Sequence, residues 1–156
     1  MPVEIVTSST VLSATPTLAV AGAYASGDLV GTLITFTQAS TDRDTGVIQH
    51  VTLVDLAKQN IAADIIFFSA NPSGTTFTDN GALDIADADM SKVIGHVSIS
   101  STDYCSLNDN SFATKANIGL VFKLTTSNTL YAAIVTRGAP TYTSGDITLE
   151  VGVLRD

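Results

Sequence analysis

Asp64-Ile65-Ile66-Phe67-Phe68-Ser69-Ala70 is the stretch on which the fold turns. Four bulky apolar residues in succession leave no polar alternate, so neither face of the strand they form can look at water. The run therefore belongs at the centre of a packed sandwich. Asn71-Pro72-Ser73-Gly74 follows it with strong turn chemistry and ends the strand.

Outward from this centre, strand follows strand. Leu33, Thr35 and Thr37 alternate with Ile34 and Phe36 within the run Leu29 to Thr37. Val47, Gln49, Val51 and Leu53 alternate with Ile48, His50, Thr52 and Val54. Val93 to Ser100, Ile118 to Thr125 and Leu130 to Thr136 read as further strands, and in Asp146 to Leu154 the residues Ile147, Leu149, Val151 and Val153 alternate with Thr148, Glu150, Gly152 and Leu154. Polar loops are expected at 39–46, around Asp42, Arg43 and Asp44, and at 103–116. A short helix is expected near 86–93, where Asp87 and Asp89 suit a helix N-terminus. The whole predicts an all-β jelly roll or β-sandwich of about 7–8 antiparallel strands. Residues 21–156 form one domain in this reading. Residues 1–20 form an extended N-terminal arm, with Val3, Ile5 and Val11 as extended pieces able to lie along a neighbour.

Composition agrees. Thr, Val and Ile favour strands and Asp, Asn, Ser and Gly favour turns, whereas the Glu, Lys and Arg that helix surfaces want are scarce. The formal net charge is −8, and the seven basic residues are scattered. Phosphate neutralisation and anionic lipid both need Lys/Arg clusters, so neither nucleic acid nor a membrane surface is expected as partner. Met1-Pro2-Val3-Glu4 lacks a basic n-region, and the apolar stretch Leu18 to Tyr24 is too short to span a bilayer. A single cysteine, Cys105, excludes an internal disulfide. Its acidic surroundings disfavour a thiolate, so it is expected as a small core residue.

No catalytic, cofactor or metal motif stands out. His50 and His96 both fall inside strand patterns, where a lone histidine is a surface or hydrogen-bonded residue. There is no phosphate loop and no nucleophile elbow. The acidic segment from Asp79 to Asp89 has oxygen donors for calcium, but its spacing does not match an EF-hand loop. It reads instead as a turn followed by a capped helical turn. One internal echo is present: Tyr24-Ala25-Ser26-Gly27-Asp28-Leu29 against Tyr142-Thr143-Ser144-Gly145-Asp146-Ile147. Reuse of one turn chemistry explains it better than duplication.

Several of these segments taken in order carry a resemblance. They are Ala23 to Gly31, Gly46 to Val51, Ile66-Phe67-Phe68 with Asn71-Pro72, Thr78-Asp79-Asn80 with Asp87-Ala88-Asp89, Leu130-Tyr131 and the closing strand. Over about residues 20–156 the chain resembles bacteriophage capsid decoration (cement) proteins of jelly-roll type. The resemblance implies a non-enzymatic virion structural protein, made in the host cytoplasm and placed on the capsid exterior. It implies a homo-oligomer, a trimer in preference to a dimer, that bridges subunits of the major capsid protein. The other reading is a tail, fibre or head-spike module that binds glycans, for which Tyr104, Tyr131 and Tyr142 would be the aromatic platform.

Overall fold

A computed structural model describes residues 8–19, 22–41 and 44–155. Val3, Ile5, Asp42 and Arg43 lie outside the described residues. In chain order the strands are β1 (Ser8–Ala14), β2 (Gly22–Ala23), β3 (Ile34–Phe36), β4 (Thr45–Asp55), β5 (Ala63–Phe68), β6 (Val93–Ile99), β7 (Tyr104–Ser106), β8 (Ser111–Lys123), β9 (Leu130–Thr136), β10 (Thr141–Tyr142) and β11 (Ile147–Arg155). The expected short helix is a 3-10 turn at Asp87–Lys92, and a second such turn spans Ser101–Asp103. No helix among the described residues is long and apolar enough to cross a membrane.

One sheet runs β1-β11-β4-β8-β7 and the other β3-β9-β5-β6, while β10 and β2 form a small ladder of their own. All pairs are antiparallel. Setting aside β2, β7 and β10, the pairing is nested. First strand pairs with last (β1 with β11), second with seventh (β3 with β9), third with sixth (β4 with β8) and fourth with fifth (β5 with β6). That nesting is a jelly roll.

The two sheets face one another across the main core. Ile48, Val51, Leu53, Leu149, Val151 and Phe122 come from one side; Ile34, Phe36, Ile65, Phe67, Val97 and Ile134 come from the other. β5 is buried on both faces, but not between two sheets. Ile65 and Phe67 enter the main core, while Phe68 joins Leu29 and Ala133 in a second cluster. Phe77, Leu83 and Ile85, from the connection between β5 and β6, cover that cluster. Phe77 meets Phe68 edge-on with ring centroids 6.1 Å apart.

Two expectations need correction. The 103–116 loop is largely a hairpin, β7 and the first half of β8. Small residues hide the period there: Ser111 and Ala113 point inward, Phe112 and Thr114 outward. Cys105 is exposed, not in the core. Tyr104 packs against the core and pairs with Ala113, so alternation turns Cys105 outward, opposite Phe112.

Residues 8–14 of the expected arm form the edge strand β1, paired with β11 along its length. The chain then passes over Gly31 and is held by Asp79. That buried carboxylate accepts hydrogen bonds from Ala19 N (2.7 Å), the Tyr24 hydroxyl (2.8 Å) and Gly31 N (2.7 Å). The echoed turns share one geometry. Asp28 accepts from Ala25 N at 2.7 Å and Asp146 from Thr143 N at 2.6 Å, with Gly27 and Gly145 both at positive φ. The leading tyrosines, Tyr24 and Tyr142, stand with ring centroids 6.0 Å apart.

Candidate functional site

The outer face of the five-stranded sheet is built by strand alternation. Val51, Leu53, Leu149 and Val151 go inward, so their neighbours go out. Cross-strand register then assembles rows. Ser9, Leu154, Val47 and Val121 form the first, and Val11, Gly152, His50 and Ala116 the second. Ser13, Glu150, Thr52 and Thr114 form the third; Thr148, Val54, Phe112 and Cys105 form the fourth. Thr52 and Thr114 share a hydroxyl hydrogen bond of 2.9 Å.

This face is apolar and nearly without charge. Val121 is 70% exposed, Val11 59%, Leu154 40% and Phe112 38%. Leu56 and Leu107 are also exposed and follow directly on β4 and β7. In a chain with fifteen acidic and seven basic residues, the outward positions of β1, β11, β4 and β8 carry only Glu150 and Lys123. A bulge at Gln49 lets His50 fold its ring across Gly152, where a Cβ would lie 2.0 Å from the imidazole. A groove of about 300 Å³ opens beside it, lined by Ser9, Val11, Gln49, His50, Gly152 and Leu154 among others.

The residues weighed for chemistry do not converge. His50 stands on this face, whereas His96 is exposed on the outer side of the other sheet, opposite Ile66. Among the described residues no group of three or more His, Cys, Asp or Glu side chains is placed to hold a metal ion. The acidic segment is divided: Asp79 binds the donors already described, while Asp89 accepts from Lys92 Nζ (2.7 Å) and the Thr75 hydroxyl (2.8 Å). These bonds hold the Asp89 carboxyl below the usual carboxylate range. Asp84 and Asp87 are exposed.

The tyrosines form no exposed platform. Tyr24 and Tyr142 are buried, and Tyr104 and Tyr131 are half-buried. Tyr104 donates its hydroxyl to Ile61 O at 3.0 Å. Burial pushes the phenols of Tyr24, Tyr104 and Tyr142 well above their ordinary value. On the other sheet a second groove of about 280 Å³ joins Ile66, Ile85 and Met90 to Asp64, His96 and Arg137. Its charges are self-satisfied, since Arg137 Nε donates to Asp64 at 2.7 Å.

The chain matches no protein-family model and no curated protein sequence.

Proposed function

We propose that the protein is a virion structural component, a decoration protein that binds the outside of a bacteriophage head and bridges its major capsid subunits. The observation that carries this reading is the outer face of the five-stranded sheet, on which Glu150 and Lys123 are the only charges. A domain of net charge −8 that keeps almost all of its charge off one sheet face, and sets four large apolar side chains there in the open, is suited to having that face covered by protein. The resemblance supplies the setting, and a jelly roll is a fold that virion proteins use. The mechanism is multivalent: individually weak contacts become strong when several copies act together on a repeating lattice.

The test is sedimentation of the purified protein with heads assembled without it. Saturable co-sedimentation, at a stoichiometry set by the lattice, is the expected result. Protein left in the supernatant at every concentration would overturn the reading.

A further inference from the structure

We propose that a second copy of this chain covers the outer face of the five-stranded sheet, related by a two-fold axis that brings Glu150 of each copy to Lys123 of the other. The inference deepens the proposed function and rests on its reading of this face as a docking surface. It begins with charge. A basic or acidic partner would be recognised by opposite charge, and this face offers one acid and one base in balance. An acidic molecule approaches its own copy most easily through the part of its surface where that charge is missing.

A two-fold interface must be complementary to itself. Glu150 lies on β11 and Lys123 on β8, the two neighbours of β4. Glu150 faces Thr52 and Lys123 faces Thr45. The two charges thus stand on opposite sides of β4 and toward opposite ends of it, with the midpoint near the Gln49 bulge. An axis lying in the interface through that point, perpendicular to the line joining them, exchanges the two positions. Neither residue has an ion-pair partner among the described residues. Val47, Val121 and Leu154 lie close to the same axis and become the dry centre of the contact.

The size sets the strength. From Thr45, which faces Lys123, to Val54 and from β1 to β8 the face spans about 27 Å by about 14 Å between strand axes. An area of that order lies below the range of stable specific interfaces, so the dimer is weak and reversible. A dimer closed in this way takes up this face between copies, and binding to the head then falls to the remaining surface of the pair, which presents every site twice.

Sedimentation equilibrium on the full chain, from about 10 µM to about 1 mM, tests the proposal. Wild-type protein is expected to move from monomer to dimer over that range. Glu150→Lys and Lys123→Glu each place like charges together and should weaken the dimer at least tenfold. An equimolar mixture of the two variants should restore it, because both cross-pairs are then attractive. Val121→Asp should remove the dimer while leaving the melting transition in place. Wild-type protein that stays monomeric, or single variants that associate as well as wild type, or a mixture that fails to recover, overturns the inference. Monomers that still coat heads would sink the dimer and leave the proposed function standing. Dimers that ignore heads would do the reverse.

Discussion

Asp79 Oδ2 accepts the backbone N–H of Ala19 at 2.7 Å, and so ties the strap that follows β1 to the body of the jelly roll. Its other oxygen serves Tyr24 and Gly31. All three donors converge on one buried carboxylate, and each unsatisfied buried group costs about 1–3 kcal/mol. Asp79→Ala should therefore lower stability by about 3 kcal/mol or more. Tyr24→Phe, which removes one donor and leaves the carboxylate its backbone donors at Ala19 and Gly31, should cost about 1 kcal/mol. Urea unfolding of both variants checks the ranking. An Asp79→Ala protein no less stable than Tyr24→Phe would contradict the hub.

Gly31 and Gly145 both sit at positive φ, at 79° and 93°, yet they should not tolerate alanine equally. A Cβ on Gly145 meets nothing within 4 Å. On Gly31 it would lie 2.6 Å from Pro16 Cβ and 3.1 Å from Thr17 O, against the backbone of the strap. Gly145→Ala should cost about 1–2 kcal/mol, the backbone term alone. Gly31→Ala adds overpacking of about 1–3 kcal/mol. The strap should also loosen in that variant, raising amide exchange at Ala19 and Gly31. Equal losses in thermal melts of the two variants would count against the strap being packed as described.

Much of this architecture is legible in the sequence, for a definite reason. The long strands β4 and β11 repeat apolar residues at period two, and Ile65 to Phe68 announces burial on both faces. What covers the second face is not legible, because Phe77, Leu83 and Ile85 reach it from a connection with no periodicity of its own. The strands β2, β7 and β10 have two or three residues each, too few to show a period. Cys105 was expected inside on composition, and the register of β7 against β8 turned it out. The outer face had one readable signal. Positions 45–54 contain no charged residue, and 111–122 contain only Lys115. Solvent faces of strands ordinarily carry several Lys and Glu, so a face with only Glu150 and Lys123 stands out. Which residues stand on it follows only from the pairing.

Asp55 gives a prediction in pH. It is fully buried at the end of β4, where Oδ2 accepts Asn60 N at 2.9 Å and the Tyr142 hydroxyl lies against the carboxylate. Burial pushes its carboxyl above the ordinary value, and the backbone N–H groups of 57–60 only partly oppose this. The folded state therefore binds this proton more tightly than the unfolded state. Stability from this group is full below the ordinary carboxylate value of about 4, and falls as pH rises through the raised folded value. Asp103, held below the usual range by Lys115, acts with the opposite sign and loses its contribution as pH falls. Asp64 does the same, since the bonds from Ser98 and Arg137 outweigh the burial that raises its carboxyl. A difference between variants separates Asp55 from these. Asp55→Asn keeps one acceptor for Asn60 and carries no charge at any pH. Its stability relative to wild type should rise steadily from about pH 3 toward neutrality and then level off. Urea titrations at a series of pH values measure that difference. A difference that stays constant with pH, or an asparagine variant that gains on wild type as the pH falls, would show that Asp55 is not the raised carboxyl its burial makes it.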